Sequence, residues 1–245
     1  MAFNLGDHVY VPRSLLGLDQ NDVSPFYRTV VRARVNRSVR VDLPNGDLSD
    51  PIATSRISDN FGILIVRVGD FNEEGLIDPL AKSILNYARM LLPGDSVRLI
   101  ELRTTAEFAI LWARYHGMCK QVILIGHGSD QGFYFGNDEV QAIDFVNLIQ
   151  APAPAPKEYI SLACQTGYAA FGQAVSQSPV VSRFIAPFHS VHGCVASLFA
   201  STYLHERILA SRSPKVAFNH ARSDLLGAAS FRLWTNGNLT AGAAL

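Results

Sequence analysis

"FGILIVRVG", residues 61–69, is a nearly unbroken aliphatic and β-branched run. A strand buried on both faces has this composition, whereas a half-exposed strand alternates. The segments after it alternate helix and strand. "DPLAKSILNYARMLL" (78–92) has helical spacing, with Asp78 expected as N-cap before Pro79. "DSVRLIEL" (95–102) reads as the next strand, and "TTAEFAILWARYHG" (104–117) as a helix capped by Thr104 or Thr105 and ended by Gly117. "QVILIGHG" (121–128) is a third strand. A short hairpin "QGFYFGND" (131–138), a helix near 139–149 and a stiff "APAPAP" loop (151–156) come next. "EYISLA" (158–163) is a fourth strand, with a helix expected from Gly167. "RFIAPF" (183–188), a long helix from Cys194, a helix from Val216 and the strand "ASFRLW" (229–234) complete the pattern. Strands alternating with helices predict an α/β fold, a mostly parallel sheet flanked by helices on both faces. Trp112 and the aromatics of its helix are expected in the core.

The first 58 residues read differently. "DHVYVP" (7–12) and "YRTVVRARV" (27–35) alternate, and "SVRVDLPNGDL" (38–48) ends a strand at an Asn-Gly turn. With a loop at 14–25 and no helical period, a small all-β barrel is expected over 1–58, ahead of an α/β domain over 59–245. Its "LGDHVYVP" and "VRVDLPNG" resemble SH3- and Tudor-like barrels. Arg32, Arg34 and Arg40 are candidates for a binding stripe, but solvated outward positions explain them better, and Asp42, Asp47 and Asp50 dilute any positive field.

Composition narrows the function. The chain has 245 residues, 48% hydrophobic and 17% charged, with zero formal net charge. That is a globular composition with no electrostatic support for nucleic-acid binding. The three cysteines are too scattered for a disulfide framework or a zinc site, so a reducing, cytoplasmic setting is expected. The start "MAFNLGDHVYVPR" has no apolar signal core, and no run is long enough to span a bilayer. No membrane partner, metal or organic cofactor is expected.

Two strands end in reactive side chains: "VILIGHGSD" at His127 and "YISLACQTG" at Cys164. Sites in open α/β sheets collect at the carboxyl ends of strands. The interval between them allows one crossover to a neighbouring parallel strand, which would set His127 beside Cys164. Thiol catalysis needs this pair, a thiolate to attack and an imidazole to carry the proton. Gly126 and Gly128 allow a sharp exit from the strand, and the amides of Gly128 and Cys164 are candidates for an oxyanion hole. A helix starting at Gln165–Gly167 would add its positive end. Among the rivals, "GHGSDQG" lacks the lysine and glycine spacing of a P-loop, and no Gly-x-Ser-x-Gly elbow is present. Cys194, after His189 and His192, is expected as a packed cysteine at a strand–helix turn.

With "IGHGS" (125–129) and "LACQTG" (162–167), the chain resembles the caspase-like cysteine peptidases. It is most similar to the CHAT branch, which is related to separase. The segments "FIAPFHSVHGCVASLFASTYLHERIL" and "KVAFNHARSDLLGAASFRLWTNGN" fit the same pattern, so the resemblance covers roughly 60–245. It implies a caspase-like sheet, with His127 as general acid/base and Cys164 as the nucleophile that forms an acyl-enzyme. Gly128 and Cys164 would supply the oxyanion-hole amides. It also implies a protein substrate and a setting in bacterial antiviral defence or programmed death. The caspase signature has glutamine two positions before the cysteine, and metacaspases have an acid; here Leu162 stands there, which points to an uncharged or apolar residue before the scissile bond. Leu162, Asp130 and His189 are the candidate substrate-binding residues. Asp130, Asp138 and Glu139 read more simply as loop and helix-cap acids. The small barrel would recruit the substrate or an activator, or cover the active site. The alternative is a catalytically inactive scaffold that kept the sheet; a thiol acyltransferase or thioesterase would use the same dyad.

Overall fold

Alternating apolar residues build the N-terminal sheet. Its strands are β1 (His8–Pro12), β2 (Phe26–Val35), β3 (Ser38–Val41) and β4 (Ile52–Ala53), antiparallel in that order. The computed structural model describes residues 3–19, 24–58, 61–69, 74–151, 155–223 and 225–242. The loop expected at 14–25 and the polyproline-like stretch at 151–156 lie partly outside these residues. The sheet curls: after β4 the chain returns to the free side of β1, where Tyr10 and Ser58 exchange backbone hydrogen bonds of 2.9 and 3.0 Å. One face encloses a small core of Phe3, Val9, Val11, Val31, Val39, Val41, Ile52 and Ile57. Arg32 and Arg34 point to solvent, and Arg32 pairs with Asp42 at 2.8 Å.

The main sheet has seven strands. In chain order they are β5 (Ile63–Val68), β6 (Val97–Leu102), β7 (Gln121–Ile125), β10 (Lys157–Ser161), β11 (Val181–Pro187), β12 (Phe231–Thr235) and β13 (Asn238–Ala241). A separate hairpin, β8 (Gly132–Phe135) with β9 (Asp138–Gln141), comes after β7. The order across the sheet is β13-β12-β11-β10-β7-β5-β6, parallel from β6 to β11, with β12 and β13 antiparallel at the edge. β13 was not expected from the sequence; it pairs back through a turn at Asn236 and Gly237, both at positive φ (48° and 74°).

Helices cover both faces. α1 (Glu74–Leu91), α5 (Gly193–Ile208) and α6 (Pro214–Ser223) pack on one side. α2 (Thr105–Tyr115), α3 (Ala142–Gln150) and the short α4 (Ala174–Ser176) pack on the other. β5 shows why its sequence is continuous: Ile63 and Ile65 enter the first core, Leu64, Val66 and Val68 the second. Trp112 is fully buried there and donates from Nε1 to the Ile149 carbonyl at 3.1 Å. Thr104 caps α2 in a reciprocal box with Glu107. Two boundaries differ from expectation. α1 begins at Glu74, so Asp78 is not its cap; it pairs with Lys82 at 2.7 Å and Pro79 lies inside the helix. Residues 138–141 form β9, so Asp138 and Glu139 are strand residues and not helix-cap acids.

The two units share a hydrophobic contact. Tyr10 and Phe26 pack against Phe61, with ring centroids 5.6 and 6.4 Å apart. Ser24 Oγ donates to the Leu91 carbonyl at 3.0 Å, and Arg28 reaches Asp95 at 3.5 Å. Burial of Tyr10 at this seam pushes its hydroxyl up to about 12. Phe61 and Asp95 precede β5 and β6, so the small sheet sits at the amino ends of the main-sheet strands.

Candidate active site

β7 and β10 are adjacent and parallel, with Ser161 opposite Leu124. The Leu162 amide extends the ladder by donating to the Leu124 carbonyl at 2.8 Å. His127 and Cys164 therefore stand at matching positions beyond the two strand ends. The loops that carry them touch. A Cβ on Gly128 would lie 2.7 Å from the Cys164 carbonyl oxygen, 2.6 Å from Thr166 Cγ2 and 3.1 Å from Ala163 Cβ. Only glycine permits this approach.

The His127 loop is held by the hairpin behind it. The Tyr134 amide donates to the His127 carbonyl (3.1 Å) and the Ser129 amide to the Gly132 carbonyl (2.9 Å). Ser129 Oγ bonds to Glu139 and accepts from the Gln131 and Gly132 amides. Glu139 thus braces the loop. Asp130 is at its exposed tip.

The Cys164 turn is braced by hydroxyls. Thr166, fully buried, donates from Oγ1 to the Ala163 carbonyl at 2.9 Å and bonds Ser161 Oγ at 2.8 Å. Ser161 Oγ also accepts from the Ala163 amide at 3.4 Å. Gln165, next to the cysteine, has φ +63°, a left-handed conformation that costs a non-glycine residue about 1–2 kcal/mol. Such strain is typical of turns that present a functional group. The Gly167 amide donates to the Pro187 carbonyl at 2.8 Å, and Trp234 Nε1 donates to the Gly167 carbonyl at 3.0 Å. Thr166→Val keeps the shape but removes the hydroxyl, leaving Ser161 Oγ and the Ala163 carbonyl short of a partner. It is expected to cost about 1–3 kcal/mol in denaturant unfolding. An unchanged midpoint would show that this network does not hold the turn.

Two amides face no acceptor. Among the described residues, neither the Gly128 nor the Cys164 N–H donates a hydrogen bond within the protein. A pair of free backbone donors on adjoining loops can hold an oxyanion.

Several expectations need correction. No helix begins at Gly167: residues 163–168 form turns, then a π-helical segment spans Ala169–Gln173 before α4. A helix dipole thus does not act on Cys164, because the Gly167–Pro187 bond keeps the chain in a turn. Leu162 is only 4% exposed and lies in the hydrophobic core, so it cannot meet a substrate. His189 is exposed, edge-on to Phe188 at 4.7 Å. Cys194 is not packed but exposed, with Sγ 3.1 Å from Nδ1 of His192, the residue that caps α5. The N-terminal sheet does not cover the site, since its contacts lie at the opposite ends of the strands.

The cysteines differ in character. Cys119 is buried, and burial pushes its thiol up to about 11, far from a reactive value. Cys164 is half-buried beside the two free amides. Among the described residues, no three His, Cys, Asp or Glu side chains group as a metal-ligand set, and no helix is long and apolar enough to cross a membrane. Sequence reading missed the Ser161–Thr166 brace and the aromatic stack of Tyr168 on Phe188 at 3.9 Å. No family model and no curated protein matches the chain.

Proposed function

We propose that the chain is a cysteine endopeptidase of the caspase-like, CHAT-type class, cutting a specific protein partner through His127 and Cys164. The observation that carries this reading is the pairing of β7 with β10, with Gly128 against the Cys164 turn and neither the Gly128 nor the Cys164 amide donating a hydrogen bond among the described residues. His127 takes the thiol proton, and Sγ attacks the scissile carbonyl carbon. The developing oxyanion accepts from the Gly128 and Cys164 amides. The imidazolium then protonates the leaving amine as the C–N bond breaks, leaving a thioester. Water, giving its proton to His127, attacks the thioester, and the restored thiol closes the cycle. No step calls for a metal or organic cofactor.

The finer fold reading goes with it: a caspase-like sheet behind an SH3- or Tudor-like barrel that recruits the substrate or an activating protein. The cytoplasmic setting is proposed from the sparse, scattered cysteines, and a role in bacterial antiviral defence from the resemblance alone. A scaffold without catalysis is the rival, and the intact His127–Cys164 pair argues against it.

The test is labelling by a thiol-reactive peptidyl probe, with cleavage of a peptide library measured in parallel. Wild type is expected to be labelled at Cys164 and to cleave, and Cys164→Ala to do neither. A wild-type protein that neither labels nor cleaves, with candidate partners added, overturns the proposal in favour of the scaffold. Labelling that survives in Cys164→Ala but is lost in Cys194→Ala moves the nucleophile to the exposed His192–Cys194 pair. Acyl transfer without peptide cleavage would identify a transferase or thioesterase instead.

A further inference from the structure

The rim beyond Cys164 carries a cation that the fold leaves unanswered. Arg232 stands on β12 opposite Ala186 of β11, and its guanidinium carbon is 3.4 Å from the centre of the Phe188 ring. Phe188 stacks on Tyr168, which belongs to the Cys164 turn through the hydrogen bond its N–H donates to the Gln165 carbonyl at 3.1 Å. A continuous shelf therefore runs from the candidate nucleophile across β11 to Arg232. His189 adds an exposed edge to it.

Arg232 is half-buried, and among the described residues its guanidinium has no carboxylate partner and donates no hydrogen bond within the protein. Burial lowers its pKa from the ordinary arginine value; Tyr168 opposes this and the like charge of Arg222 adds to it. Arg222 itself is engaged, with Nε and Nη2 on the Ala229 carbonyl at 3.1 and 2.9 Å. An arginine stays charged under such shifts. Stacking on Phe188 fixes the guanidinium plane and leaves its N–H fork open. That fork matches a carboxylate, which it can bind through two parallel hydrogen bonds.

We infer that Arg232, on the Tyr168–Phe188 shelf, is a subsite for an acidic side chain of the bound polypeptide, displaced sideways from the scissile bond. The inference rests on the peptidase reading for its orientation toward a peptide. Arg232 is two strands from β10, or about 10 Å, which an extended chain covers in about three residues. The acidic residue therefore lies about two to four residues from the cut.

The test uses a positional-scanning peptide library in which each position carries either Glu or Gln. In wild type, one position in that range is expected to favour Glu over Gln by about ten-fold or more in kcat/KM, the scale of a charge-assisted hydrogen bond. The ratio should fall to near one in Arg232→Gln and be partly kept in Arg232→Lys, with thermal melts checking that both are folded. A wild-type ratio near one at every position, or a preference untouched in folded Arg232→Gln, overturns the subsite while leaving the peptidase standing. A second arm measures binding of fluorescent Glu and Gln peptides to Cys164→Ala, with and without Arg232→Gln. Tighter Glu binding that depends on Arg232, in a protein whose wild type cleaves nothing, upholds the subsite and fails the peptidase.

Discussion

His127→Ala is expected to lower the rate of peptide-bond cleavage by about two to four orders of magnitude, the usual contribution of a positioned acid–base group. In the proposed mechanism the residue has two proton duties: it takes the Cys164 proton before attack and returns one to the leaving amine. An amine leaves poorly as an anion, so the second duty is the harder to replace. An activated ester of the same acyl group needs no proton on its leaving oxygen. Its hydrolysis should therefore fall much less in His127→Ala than amide cleavage does. Equal losses for ester and amide would argue that His127 shapes the site and does not move protons. His127 also hangs from a loop held by the Tyr134 and Ser129 backbone bonds, so removing its side chain leaves the loop's own bracing intact.

Gly128→Ala is expected to damage both stability and turnover. The new methyl would meet the Cys164 carbonyl oxygen at 2.7 Å and Thr166 Cγ2 at 2.6 Å. Neither neighbour can give way easily. The first is backbone, and the second belongs to a fully buried residue in a hydroxyl network. One of the two loops has to move, at a cost of about 1–3 kcal/mol for overpacking. That movement also pulls apart the two amides proposed to hold the oxyanion. Loss of one such donor lowers kcat by about 10²–10³-fold. Denaturant unfolding and kcat, measured on the same preparation, check both halves. A variant with wild-type stability and rate would mean that the two loops are not packed as described. A variant that is less stable but equally fast would separate the packing from the chemistry.

How much of this was legible in the sequence depended on whether the deciding force was local. β5 and β7 were readable because strands covered on both faces need apolar runs, and Thr104-Thr105 announced the start of α2. The pairing of β7 with β10, the strands that lead to His127 and Cys164, was also readable, since a short crossover between parallel strands leaves few arrangements. The turn after Cys164 was not. "QTGYAAFGQ" is a fair helix sequence, yet Gly167 is tied to Pro187 on the next strand and Gly172 packs against the indole nitrogen of Trp234. Both partners are remote in sequence. Leu162 misled for a related reason: a residue two positions before a reactive one can face the core as readily as the cleft, and only the register of β10 decides. β13 was missed although Asn236-Gly237 is a turn pair favoured where both residues take positive φ. Arg232 carries no local signal at all, because its environment is assembled from β11, the Cys164 turn and its own strand.

The seating of the small sheet at the amino ends of the strands sets a length scale. β5 has six residues and is about 20 Å long, so a grip on the N-terminal sheet and a cut at Cys164 lie at least that far apart. A substrate anchored at one and cleaved at the other must span the gap with at least about six extended residues. Flexible tethers longer than this lose local concentration only slowly, whereas shorter ones never reach. The molecule would then act as a ruler with a lower bound. Proteins whose susceptible bond lies too close to the gripped element would pass uncut, whatever sequence surrounds that bond.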